Sequence, residues 1–282
     1  MRNDRFLWLV AGTSVLVVLV FLYSTANAEE QLSATADTSA KVGVPSPKKD
    51  WELGARVSYW FSNISGNVRV DSNGIQGTTI DLKNDLGIDR SYMGYFEIYG
   101  QFGRHHLTAG YVDTDYSGST NIPRTLIFRG ETYPAGSLVQ ADIKLKVIDF
   151  EYQYDFLRFD QFLSGLSFGG IGKIMYVEGH TSSFAPALAL SGQGSFYAPI
   201  PMLGLGARLG LLGNWLEVRG KATGSNFSGN TFYEADAALA LRLIPFTELS
   251  GGYRVIRYDY DKNNLVFNVT LSGPYVGLTI VF

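Results

Sequence analysis

From residue 51 onward, apolar residues recur at every second position, not at every third or fourth. A period of two puts such residues on one face of a strand, which no helix can do. In residues 51–61 the odd positions are Trp51, Leu53, Ala55, Val57, Tyr59 and Phe61, and the even ones are Glu52, Gly54, Arg56, Ser58 and Trp60. The same alternation recurs near Phe96 and Ile98, near Leu107, Ala109 and Tyr111, and through residues 138–156, 166–178, 201–211, 215–224, 232–243, 248–255 and 265–282. Ten candidate strands result. In one of them the apolar set changes from Val139, Ala141, Ile143, Leu145 and Val147 to Ile148, Phe150, Tyr152 and Tyr154. A bulge at Val147-Ile148 is expected there. Gly273-Pro274 is expected to shift the phase of the last strand, because proline cannot donate to the ladder. Composition agrees with a many-stranded chain: 32 glycines, 17 tyrosines and 18 phenylalanines stand beside only 17% charged residues.

Before the strands come two other segments. Residues 1–28 read as a signal peptide. Arg2 and Arg5 make a basic start, residues 6–22 are apolar, and Ala26-Asn27-Ala28 supplies a small-x-small cleavage pattern. The alternative is an uncleaved single-span anchor; either way the chain leaves the cytoplasm. Residues 29–50 are polar, with too few large apolar side chains for a core, and read as a flexible periplasmic lead-in. Residues 51–282 then form one domain.

Most of the ten strands reach the 9–11 residues that a tilted strand needs to cross a bilayer. A soluble sandwich or lipocalin-like barrel would also alternate, so the connections must decide. Those at 103–104, 156–161, 213–214 and 245–246 are short, and the alternate ones at 62–90, 118–137 and 181–199 are long. Short turns on one side and long loops on the other are typical of outer-membrane barrels. The expected fold is therefore an all-β, transmembrane, antiparallel up-and-down barrel of about ten strands. Eight or twelve remain as alternatives, twelve if a hairpin at 67–80 enters the wall.

The chain ends on Phe282, preceded at period two by Ile280, Leu278 and Val276. This resembles the terminal assembly signal of Gram-negative outer-membrane β-barrel proteins. The resemblance implies an outer-membrane location, contact with membrane lipid and lipopolysaccharide, and insertion by the barrel-assembly machinery.

With the apolar face toward lipid, the other face lines a lumen. Its expected charges include Glu52, Arg56, Glu97, Lys144, Lys173, Arg208, Glu217, Arg219, Glu234, Asp236, Arg242 and Arg254. Acids and bases are nearly balanced, as charges in a low-dielectric interior must be. Ten strands are only slightly wider than the eight that side chains fill. A salt-bridged interior is expected, or a narrow pore if Gly204, Gly206 and Gly210 leave space.

Other chemistry is poorly supplied. There is no cysteine, and the three histidines are His105, His106 and His180. No metal site, cofactor site or catalytic set is expected. A formal charge of −3 argues against nucleic acid as a partner. Asp113-Thr114-Asp115 is similar to the Asp-x-Asp element of omptins, outer-membrane proteases of ten strands. However, the fourth loop, Phe227-Ser228-Gly229-Asn230-Thr231, holds no partner histidine, and Asp113 and Asp115 share the outward phase of Tyr111. His180-Thr181-Ser182 has the His-x-Ser spacing of outer-membrane lipid A deacylases, with Glu178 in phase, but Ser183-Phe184-Ala185 departs from that family's continuation. The expectation is a structural or narrow-pore barrel without catalysis. The alternatives are an outer-loop enzyme acting on lipid A or peptides, and a barrel that binds a ligand or partner through its first three outer loops.

Overall fold

The computed structural model describes residues 51–282 apart from 73, 129, 186–189, 213–214, 228–229, 245 and 263. The expected signal peptide and lead-in lie outside the described residues. Thirteen strands follow in chain order: β1 Trp51–Val70, β2 Ile80–Asp81, β3 Arg90–Phe102, β4 His105–Asn121, β5 Leu126–Phe128, β6 Glu131–Tyr133, β7 Leu138–Phe159, β8 Leu166–Ala185, β9 Leu190–Leu211, β10 Leu216–Phe227, β11 Asn230–Ile244, β12 Thr247–Lys262 and β13 Leu265–Val281.

Ten of them form the wall. β1, β3, β4 and β7 to β13 pair antiparallel with their neighbours, and β13 returns to β1 from Gly54↔Val281 to Val70↔Leu265. The sheet is closed, so the wall has no free edge. β2 is not a wall strand. It pairs with β1 through Asn67↔Asp81 and Val68↔Ile80 only, so the hairpin at 67–80 leaves the count at ten. β5 and β6 form a separate small hairpin in the second long connection. The third connection is much shorter than the sequence suggested. β8 and β9 stay paired out to Ala185↔Leu190, so most of 181–199 is strand.

The outward face carries a broad apolar band: Val57, Ile98, Phe150 and Leu203 are 51%, 69%, 61% and 77% exposed. Trp51 to Phe61 on β1 spans a height of about 25 Å, given ~3.3 Å per residue and a ~40° tilt. An apolar surface of this extent would associate in water, and its height matches a bilayer core.

Above the band, toward the long loops, the polarity of both faces reverses. On β7 the outward residues change from Phe150 and Ile148 to Lys146, Lys144 and Asp142, while the inward ones change from Glu151 and Asp149 to Leu145, Ile143 and Ala141. This corrects two expectations with one cause. Val147 and Ile148 pair consecutively with Val112 and Tyr111 on one side and with Val177 and Tyr176 on the other, so no bulge lies there. The register shift on β7 comes instead between Asp155 and Leu157. On β13, Gly273 and Pro274 also run on in register, opposite Arg254 and Tyr253. In both strands the sequence changes polarity because the surroundings change. The strands pass out of the apolar band, and their inner side then faces a packed core.

Candidate functional site

The lumen has two levels. In the lower one, toward the short turns, inward positions carry charge in two linked sets. In the first, Arg56 meets Glu97 (3.3 Å) and Glu248 (3.6 Å), and Arg219 meets Glu248 (2.6 Å) and Glu217 (2.5 Å). Arg242 completes this set with Glu52 (3.2 Å) and Glu248 (3.7 Å). In the second, Lys173 meets Glu234 (2.5 Å), Asp149 (3.4 Å) and Glu151 (3.9 Å). Lys221 meets Glu151 (2.8 Å), and Arg254 meets Asp236 (3.2 Å) and Glu234 (3.5 Å). Each set thus holds four carboxylates on three bases.

Tyrosine hydroxyls supply donors where bases fall short. Tyr95 donates to Asp149 (2.7 Å), Tyr275 to Asp236 (3.0 Å) and Tyr99 to Glu52 (3.0 Å). Arg254 lies over the ring of Tyr95, 4.5 Å from its centroid. Nearer the short-turn mouth, Arg208 and His106 both meet Asp155, at 3.0 and 2.9 Å.

Small cavities lie between these groups, one of them about 30 Å³ among Gln101, Asp155, Arg208, Gly210 and Glu217 near the short-turn mouth. A cavity of about 40 Å³ lies among Arg56, Ser58, Trp60, Glu97, Lys221 and Arg254, enough for a few waters. Ser58 Oγ is buried there without a protein partner, which suits a water. The glycine gaps on β9 are occupied as well: the side-chain amide of Gln153 packs over Gly206 and the carbonyl of Ser164 over Gly210.

The upper level is apolar. Trp60, Ile64, Met93, Tyr95, Val112 and Tyr116 meet Ala141, Ile143, Leu145, Met175, Val177, Ile200, Met202, Tyr258, Val269 and Leu271 across the lumen. The first long connection adds Leu82 and Ile88, 1% and 0% exposed. Burying each of these two side chains stabilises the seat by about 1.5–3 kcal/mol. The segment 81–89 bonds largely to itself, through Asp85 N to Asp81 O, Gly87 N to Lys83 O and Ile88 N to Leu82 O. It reaches the wall through Leu82 N to Gly66 O (3.0 Å) and through Ile64 N, which donates to Asp89 O (2.9 Å). Its backbone lies close against Gly118 on β4, where a Cβ would stand 2.3 Å from Leu86 O.

A second apolar cluster covers the first. Ile80, Ile122, Leu126, Tyr133, Val139 and Ala185 pack together with the partly buried Leu86 and Phe128. Thr78 N donates to Ile127 O, and Ile127 N to Thr78 Oγ1. Arg124 donates to both oxygens of Asp85, whose carboxyl is 4% exposed. That guanidinium holds the Asp85 carboxyl below the usual carboxylate range, helped by the amide of Asp81 and opposed by burial.

Of the charges expected to line the lumen, eleven point inward. Lys144 does not. It lies on the outward face above the band, 61% exposed and 3.5 Å from Asp115, because β7 keeps its phase through Val147-Ile148. The sequence reading singled out neither the Asp155–His106–Arg208 group nor the two-loop cap. Asp113 and Asp115 are outward and exposed, as their phase implied. Glu178 and His180 also face outward and share a hydrogen bond, Oε1 to Nε2 at 3.0 Å. Among the described residues, no group of three or more histidine or carboxylate side chains could hold a metal ion.

The wall matches a known architecture. The crystal structure of the outer membrane protease OmpT from Escherichia coli superposes with a TM-score of 0.56 at 11% identity, covering 90% of this chain and 99% of that one. The fold is that of an outer-membrane β-barrel. The translocator domain of the autotransporter NalP from Neisseria meningitidis gives 0.41 at 8% identity, covering 96% and 97% of the two chains. Ail, the attachment invasion locus protein of Yersinia pestis, in complex with the heparin analogue sucrose octasulfate, gives 0.37 at 10%, covering 82% and 99%. No protein-family model and no curated protein matches the sequence. The likeness, carried by the protease structure, is thus one of fold.

Proposed function

We propose that this chain resides in the Gram-negative outer membrane as a barrel that is closed at rest and has a structural role without catalysis. One observation carries the reading: an apolar layer seals the lumen above a charge-paired interior with room for a few waters. Ions would have to cross Leu82, Ile88, Tyr116 and their neighbours without hydration, which is costly in an apolar medium. The outward band would contact membrane lipid, and the polar wall above it the lipopolysaccharide headgroups. Val276, Leu278, Ile280 and Phe282 all face outward on or just beyond β13, available to the assembly machinery. The test is purified barrel in a planar bilayer. No conductance steps are expected; steady current from the unmodified protein would overturn the closed state.

A second reading has its own observation. The Glu178–His180 pair could orient a base toward an exposed hydroxyl at Ser182 on the outward face, within reach of lipid. Hydrolysis of lipid A there would change the mass of lipid A in cells that make the protein. Ser182→Ala would abolish that change, and an unchanged mass in wild-type cells would overturn this reading.

A further inference from the structure

A barrel's diameter grows with its strand number, so a ten-stranded barrel is about a quarter wider than the eight-stranded one whose own side chains fill the interior, and encloses roughly half as much space again. At the level of Tyr116 the extra space is filled by chain from outside the wall, namely Leu82 and Ile88 on the segment 81–89. We propose that this segment is a removable plug, and that its withdrawal lets the lumen conduct small cations in preference to anions. The proposal rests on the closed resting state argued above.

Three observations support removal. The segment's turns are closed by its own backbone bonds, and it is tied to β1 at its two ends, by Leu82 N to Gly66 O beside the short β2 pairing and by Ile64 N to Asp89 O. It can therefore leave without unpairing two wall strands from each other. It sits against Gly118, the residue type that leaves most room for a neighbouring backbone. Its outer hold is Arg124 on Asp85, a contact from another loop rather than from the wall.

The cation preference follows from the lower lumen. Each ionic set there holds four carboxylates on three bases, while Asp155 and Arg208 balance one another. The passage below the plug is therefore net negative. A narrow, low-dielectric passage of one sign concentrates the opposite ion. Glu52 and Glu217, partly exposed, lie among the outermost of these groups.

Two variants open the plug by different routes. Gly118→Leu pushes it from the wall, and Leu82→Ser with Ile88→Ser removes its apolar hold. Each is checked for retained strand structure by circular dichroism and recorded in planar bilayers under a potassium chloride gradient. Conductance steps absent from the wild type are expected, with the reversal potential shifted toward that of potassium. Adding Glu52→Gln and Glu217→Gln equalises acids and bases in the lumen and should move the reversal potential back toward zero.

The chain has no cysteine, so an introduced pair has no other thiol to react with. Gly87 has φ +68°, where a side chain is strained, so the Gly87→Cys single variant serves as the control for that strain. A Cβ at Gly87 would lie 3.5 Å from that of Thr120, within disulfide range. In the Leu82→Ser, Ile88→Ser background, Gly87→Cys with Thr120→Cys should be silent when oxidised and conduct when reduced. Folded variants that stay silent, that prefer chloride, or that conduct equally with the tether closed would overturn the proposal. Steady wild-type current would instead overturn the closed resting state on which it rests.

Discussion

Arg124 donates from Nη2 to Asp85 Oδ2 at 2.6 Å and from Nε to Oδ1 at 3.3 Å, and so fastens the second long connection to the first above the barrel mouth. Arg124 Nη2 also donates to Thr79 O at 2.8 Å. The fork geometry suits a carboxylate, and the carboxylate is buried although the guanidinium is half exposed.

Arg124→Ala leaves the buried Asp85 carboxylate with the amide of Asp81 as its donor, at 2.9 Å. The cap should lose about 1–3 kcal/mol, the cost of a buried group deprived of its partner. Hydrogen exchange of the amides of Leu82, Asp85 and Ile88 should accelerate, and those in β10 and β11 should not. Uniform acceleration would show that the pair stabilises the whole barrel instead of the cap.

The same pair fixes the cap's response to acid. The folded pKa of Asp85 is depressed, so its contribution is present above the ordinary carboxylate value and is lost as pH falls through the lower folded one. Protection of the loop amides should hold at neutral pH and fall only below about pH 4. Asp85→Asn should remove this acid limb. A loss of protection between pH 6 and 7 would assign the transition to another group.

Lys173 is held by Glu234, Asp149 and Glu151 with its side chain 1% exposed. Lys173→Met should cost about 3–5 kcal/mol, because the carboxylates it leaves are buried. Replacing Lys173 and Glu234 together by apolar residues should restore part of this. Denaturant unfolding in detergent gives both values. A single variant as stable as wild type would show that the carboxylates take up protons without cost.

Tyrosines stand in for missing bases in these sets. Tyr95→Phe removes the 2.7 Å bond to Asp149, and Tyr275→Phe the 3.0 Å bond to Asp236. Each should destabilise by about 1–3 kcal/mol. A neutral effect from both would mean that water replaces the hydroxyl in the lumen.

The wall was legible from the sequence because alternation is written locally. Trp51 to Phe61 show which residues share a face, and eleven expected lumen charges point inward for that reason. Alternation does not say which face is inside. At Val147-Ile148 and at Gly273-Pro274 the polarity changes while the strand runs straight on, and a local reading turns that into a shifted backbone and puts Lys144 in the lumen. The cap left no local trace. Leu82 and Ile88 follow no strand period, and Asp85 and Arg124 are 39 residues apart. Chain closure alone brings them together.

The boundary of the polarity reversal can be tested at two positions four residues apart on β7. Phe150 and Lys146 both point outward, with Phe150 inside the apolar band and Lys146 above it. In lipid, Phe150→Lys, between the midplane and the upper edge of the band, should cost about 1–3 kcal/mol, since the cost of a lysine falls from about 2–4 kcal/mol at the midplane to about 0–1 at the interface. Lys146→Glu, in water beside Glu178 and Asp113 on the neighbouring strands, should change stability by no more than about 1 kcal/mol, as exposed charges do. Reversible unfolding from vesicles compares the two directly. In detergent, where a micelle can adapt around a charge, the gap between them should narrow. Equal effects in lipid would place both residues on the same side of the boundary and leave the apolar switch at Val147-Ile148 without its cause.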